Sequence, residues 1–166
     1  MSEPSPQGAR AAAGLTLTEA LRTVGLGLEA HGVPAARLAV TAAGISVATE
    51  TAYGRHDYSW NLLAIHSTAY QESRGAAGPT RAADLARWSV LLRVVGQMLE
   101  ADGVRDCEIE GTMTERGAPP PWRVAVRRDG QVRLRTEDVQ IYVLRAEQQA
   151  AAQQANPAKR PHGAPG

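Results

Sequence analysis

The sequence predicts an α+β domain: an antiparallel sheet with helices packed on it, built from an internally duplicated helix-strand-strand-helix unit about a pseudo-two-fold. Three observations lead there. Residues 21–33 (LRTVGLGLEAHGV) align on residues 92–104 (LRVVGQMLEADGV) at an offset of 71, with nine of 13 positions identical. Both segments carry apolar residues at helical spacing, and both are followed by runs that alternate in polarity. Aromatic residues are only 4% of the chain and Phe is absent, so a unit of about 60 residues is marginal alone and two must share a core.

Residues 1–14 have no apolar periodicity and are read as a disordered tail. They also lack the basic start and apolar run of a secretory signal. Repeat unit 1 spans 15–74. Thr16 and Glu19 form a capping-box pattern that starts its first helix. Leu17, Leu21, Val24 and Leu28 are spaced 4, 3, 4 and make one buried face. Gly32 follows, where a left-handed cap favours glycine. Gly25 and its counterpart Gly96 sit in mid-helix, where glycine costs about 0.5–1 kcal/mol relative to alanine. Close helix crossing and common descent each account for both. Residues 37–41 and the run through Ile45 and Val47 make two strands about Ala43-Gly44, with room for a third short strand. Ser59 is then an N-cap, and Leu62, Ile65 and Ala69 mark a second helix.

The linker, 75–85, carries Gly and Pro punctuation. Repeat unit 2 spans 86–149. Trp88, Leu92, Val95 and Leu99 repeat the helical stripe, and Gly103 repeats the cap. Ile109 lies over Leu38 and Thr112 over Thr41. Six extra residues then enter within 114–121, and the offset becomes 77, placing Trp122 over Ile45 and Val124 over Val47. Asp129-Gly130 is a strong two-residue hairpin signal. Thr136 lies over Ser59 as an N-cap, with Val139, Tyr142 and Ala146 on the inner helix face. Residues 150–166 end in Pro, Gly and Ala and are read as a second disordered tail.

Lys and Arg total 18 against 17 Asp and Glu, a formal charge of +1. Lys159 and Arg160 lie in the C-terminal tail, so residues 15–149 carry 15 Arg against 16 acids. That balance excludes a bulk nucleic-acid coat or an acidic tail protein. The single cysteine, Cys107, excludes an intramolecular disulfide framework and any multi-cysteine metal site. It alternates with Ile109 and is read as a buried small hydrophobe. His31, His56 and His66 have no metal-ligand spacing, so they imply no metal. No stretch approaches the length of a membrane span, and the expected location is cytoplasmic.

Glu108 and Glu110 share the face opposite Cys107, and Arg123, Arg127, Arg133 and Arg135 take the polar phase of their strands. Cross-strand Glu–Arg pairing accounts for these six residues, while the arginines also offer a phosphate-contacting surface. Residues 95–103 (VGQMLEADG) resemble the motif of the LAGLIDADG homing endonucleases. That resemblance implies two motif helices paired across a pseudo-two-fold and a metal-binding acid just before the final Gly. The position is Asp102 in the second copy but His31 in the first, and the family's units run longer. The segment is therefore read as convergence on an amphipathic helix with a Gly cap.

The leading functional expectation is a non-enzymatic protein–protein interaction or assembly module, self-associating or binding another protein and needing no cofactor. Tyr53, Tyr58 and Trp60 bring three of the seven aromatics together as contact residues, or else seal the core of the first unit. One alternative is a nucleic-acid-associated protein using the Arg-bearing sheet face and basic tail. The other is a small-molecule binder or enzyme with a pocket between the repeats.

Overall fold

Helix α1 (Leu17–Ala30) is followed by strands β1 (Ala35–Thr41), β2 (Gly44–Thr51) and β3 (Gly54–Asn61). A 3-10 turn (Ala82–Ala86) leads into α2 (Trp88–Ala101), β4 (Cys107–Met113), β5 (Trp122–Arg128), β6 (Gln131–Arg135) and α3 (Thr136–Ala155). This computed structural model describes residues 16–51, 54–61, 80–113 and 120–155, with the side chains of 50–61 outside the description. The class is α+β. The strand order is β3-β2-β1-β4-β5-β6, and every neighbouring pair is antiparallel. Each half is a meander, and β1 meets β4 at the centre, where Leu38 faces Ile109. Both residues are fully buried under the helices.

The signals that bound α1 and α2 work as the sequence implies. The Glu19 amide donates to Thr16 Oγ1 at 3.1 Å, and the Thr16 amide reaches Glu19 Oε2 at 3.5 Å. Gly32 (φ 59°) and Gly103 (φ 70°) take the left-handed conformation, which is inexpensive only without a Cβ. The chain then turns back so that the Val33 amide donates to Leu28 O and the Val104 amide to Leu99 O.

The two helices pack antiparallel and touch through their backbones. A Cβ on Gly25 would lie 2.6 Å from Ser89 Cα, and one on Gly96 would lie 2.7 Å from Thr18 Cα. Close crossing therefore accounts for both mid-helix glycines. It also brings each helix end to the other's start. Glu29 Oε1 accepts from the Ser89 amide at 2.8 Å and from the Ser89 hydroxyl. Glu100 Oε1 accepts from the Thr18 amide at 3.0 Å. A last-turn carboxylate thus faces the positive end of the opposite helix dipole. Leu21, Val24, Leu28, Leu91, Leu92, Val95 and Leu99 fill the layer between the helix pair and the sheet.

The third strand for which the sequence left room is formed in each half, by β3 and β6. Several other sequence expectations are corrected. The 44-side hairpin turns on Ala42-Ala43, since Thr41 faces Gly44 directly. The Thr41 hydroxyl accepts the Ala43 amide there, stabilising a turn without glycine in its loop. Leu38 faces Val47, while Ile109 faces Val126 and not the Val124 that the offset of 77 sets over Val47. A slip of two residues leaves every side chain on its original face, and alternation alone cannot detect it.

Thr136 is the first residue of α3, not its N-cap. Its buried hydroxyl accepts from the Val124 amide and donates to the Val124 carbonyl, fastening α3 to β5. The inner stripe of α3 is Val139 and Val143, while Tyr142 and Ala146 are exposed. Helix α3 also continues to Ala155, five residues beyond the expected start of the tail. The run QQAAAQQA consists of strong helix formers and needs no burial to extend a helix already begun. The expected second helix of unit 1, carrying Leu62, Ile65 and Ala69, lies outside the described residues.

Candidate functional site

Three surfaces merit functional weight, and each follows from strand phase or helix width. On β4 the inward positions Cys107, Ile109 and Gly111 are buried, leaving Glu108, Glu110 and Thr112 outward. On β5 the inward positions are Trp122, Val124 and Val126, with Arg123 and Arg127 outward. Arg135 flanks buried Leu134 on β6 and faces Ala125 in the outward phase, whereas Arg133 is the extra residue at an irregularity in the β5–β6 ladder and is exposed. The structure therefore brings Arg123, Arg127 and Arg135 to one side of the sheet.

Glu110 is the hub of this face. Arg37 Nη2 lies 2.6 Å from one of its carboxylate oxygens, and Arg127 Nη1 lies 3.1 Å from the other. Arg123 Nη1 donates at 3.4 Å to the carbonyls of Pro120 and Trp122. Arg128, at the end of β5, pairs with Asp106 at 3.4 Å. Cross-strand pairing thus engages Arg127, as its alternation with Glu110 implies. Exposed pairs of this kind contribute about 0.2–1 kcal/mol each. Beside them, a shallow groove of about 400 Å³ runs over Ala35, Ala48 and Thr112.

The second surface is an apolar edge. Val132, Ile141, Tyr142 and Leu144 are the large hydrophobics exposed among the described residues. All four lie on β6, the last strand of the sheet, or on α3 beside it. The helix carries Val139, Ile141, Tyr142, Val143 and Leu144, too broad a band for one buried stripe, and only Val139 and Val143 are covered. That breadth was the legible signal for an exposed apolar surface, and a search for one inner face passes over it.

The third is a cleft of about 380 Å³ between the start of α1, the β1–β2 hairpin and the loop from α2 to β4. Its walls include Leu17, Ala20, Val40, Ile45 and Val104, with Glu100 and Arg105 at its polar side.

The remaining expected site residues separate from these surfaces. Tyr58 faces Val47 and Trp60 faces Ile45 in backbone register on β3. Their side chains, and Tyr53 altogether, lie outside the described residues. Cys107 is buried, and burial, helped by Asp106, pushes its thiol up to about 11. Such a thiol is a poor nucleophile at neutral pH. His31 and Asp102 are the C-caps of α1 and α2, at opposite ends of the antiparallel pair. They form no joint metal site of the sort the endonuclease resemblance implies. Among the described residues, no group of three or more His, Cys, Asp or Glu is placed to hold a metal, and no helix is long and apolar enough to cross a membrane.

No known protein family matches the chain, and neither the curated proteins nor the solved structures give a match.

Proposed function

We propose that this chain is an internally duplicated, pseudo-two-fold domain that works as a non-enzymatic protein–protein interaction or assembly module in the cytoplasm. Support for the duplication comes from paired contacts at the offset of 71. Leu38 faces Ile109, its own counterpart. Gly25 meets Ser89 as Gly96 meets Thr18, and Glu29 caps Ser89 as Glu100 caps Thr18. The axis passes between Leu38 and Ile109.

The observation that carries the interaction reading is the apolar edge. Val132 on β6 and Ile141, Tyr142 and Leu144 on α3 stand exposed, with Ile141 and Leu144 one turn apart on the helix, and apolar surface of this kind is costly to leave in water. A second copy of the chain is the first partner to test, because an edge strand pairs readily with its own kind. Light scattering across a concentration series reads the native mass. Wild type is expected at about twice 17.6 kDa, with a melting temperature that rises with concentration, and Ile141→Glu/Leu144→Glu at one chain, folded by circular dichroism, with a melting temperature independent of concentration. A single-chain mass for wild type at every concentration overturns self-association.

A second reading rests on the outward sheet face, where among the residues with described side chains Arg37, Arg123, Arg127 and Arg135 outnumber Glu108 and Glu110. It predicts nucleic-acid binding that weakens steeply with salt. Absence of a mobility shift at low ionic strength removes it.

A further inference from the structure

We infer that the cleft beside Leu17 is a binding site for a planar aromatic ring carrying an N–H donor, of which indole is the simplest. This inference rests on the duplication proposed above, because the second half of the domain holds such a ring in the corresponding place. Trp88 corresponds to Leu17 at the offset of 71, Leu91 to Ala20, Gly111 to Val40 and Val33 to Val104. The Trp88 indole is 3% exposed, and its Nε1 donates to the Val33 carbonyl at 2.7 Å. Its six-membered ring rests on Gly111, where a Cβ would come within 2.6 Å of Cζ3.

In the first half the equivalent space is the open cleft of about 380 Å³. Leu17 replaces the indole and Ala20 replaces a leucine, so the described residues leave room here that Trp88 fills on the other side. Val40 stands where Gly111 lies flat, so an incoming ring sits shallower than Trp88 does. Leu17, Ala20, Val40 and Ile45 supply apolar walls. Val104 lines the cleft at the position of Val33, so a ring seated as Trp88 is in the other half would direct its N–H at the Val104 carbonyl. An aliphatic guest would leave that acceptor without a donor, which disfavours it relative to a ring that brings one.

The test is a titration of the full-length, ¹⁵N-labelled chain followed by amide shifts. Indole is expected to give saturable shifts at Leu17, Ala20, Val40 and Val104 but not at Gly111. Half-saturation on the order of 1 mM fits a fragment of this size. N-methylindole, lacking the donor, is expected to bind about tenfold more weakly. N-acetyltryptophanamide distinguishes the source: equal binding assigns the ring to a tryptophan side chain of a protein partner, and exclusion assigns it to a free small molecule. The variant Leu17→Trp/Val40→Gly rebuilds the Trp88 seat. Its added indole is expected to emit as a buried fluorophore, and the indole-induced shifts are expected to vanish. Absence of saturable shifts in wild type overturns the site. If the double variant still buries its indole in that case, the duplication stands and only the site fails. An exposed indole in the double variant overturns the correspondence, and the inference with it.

Discussion

Placing a single methyl group at the helix crossing measures how closely α1 and α2 must approach. In Gly96→Ala the new Cβ would sit 2.7 Å from Thr18 Cα and 3.1 Å from Thr18 N. Both neighbours are backbone atoms, so no side-chain rotation relieves the contact. Restoring ordinary separation moves the helices apart by about 0.7 Å. A gap of that size forfeits a quarter to a half of the dispersion energy across the interface it opens. The crossing lies over the core layer of Leu21, Val24, Leu28, Leu92, Val95 and Leu99, and overpacking at such a site costs about 1–3 kcal/mol. The better helix propensity of alanine returns about 0.5–1 kcal/mol. The net expectation is a loss of about 1–2 kcal/mol, and of more for Gly96→Leu. Gly25→Ala, with contacts at 2.6 Å to Ser89 Cα and Trp88 O, should lose at least as much. One separation relieves both clashes, so Gly25→Ala/Gly96→Ala should lose less than the two single variants combined. Urea unfolding monitored by circular dichroism reads all three. Unchanged or increased stability in Gly96→Ala would refute the close-crossing account, and strict additivity would refute the shared retreat.

Three further predictions concern the same core. Glu29→Ala should lose about 2 kcal/mol and Glu100→Ala about 1 kcal/mol, because Glu29 accepts from both the amide and the hydroxyl of Ser89 while Glu100 accepts from one amide; equal losses would contradict this difference. Gly111→Ala should lose about 2 kcal/mol in wild type but under about 0.5 kcal/mol in a Trp88→Leu background, since the clash is with the Trp88 ring alone; a double-mutant cycle with no coupling sinks that assignment. Cys107 gives a pH dependence. Its folded pKa of about 11 lies above the ordinary 9.0, so its contribution is fully present below pH 9 and is lost as pH rises from 9 to 11. The stability difference between wild type and Cys107→Ala should narrow across that window, and a difference independent of pH would argue against burial of the thiol.

The elements with local chemical causes were legible from residues alone. The capping box at Thr16 and Glu19, the left-handed Gly32 and Gly103, and the Asp129-Gly130 turn all form as their residue types require, with Asp129 at φ 54° and Gly130 at φ 75°. Strand phase was legible too, because alternation fixes the face of Glu110, Arg123 and Arg127 before any partner is known. The candidate sites were less so. Tyr142 was expected inward, and Ile141 and Leu144 gave no separate signal, because a helix apolar on more than one side does not declare which side is covered.

Composition, spacing and internal likeness therefore determined the class of the fold, the glycine-capped ends of α1 and α2 and the inward phase of the described strands, since each depends on neighbours within a few residues. Tertiary structure decided the rest. The pairing of Ile109 with Val126, the reach of Glu29 and Glu100 to the opposite helix, and the burial of the Trp88 indole against Val33 and Gly111 all depend on contacts between residues far apart in the chain. Those contacts are set by packing of whole elements, and a two-residue register or a missing ring leaves the local pattern of polarity unchanged.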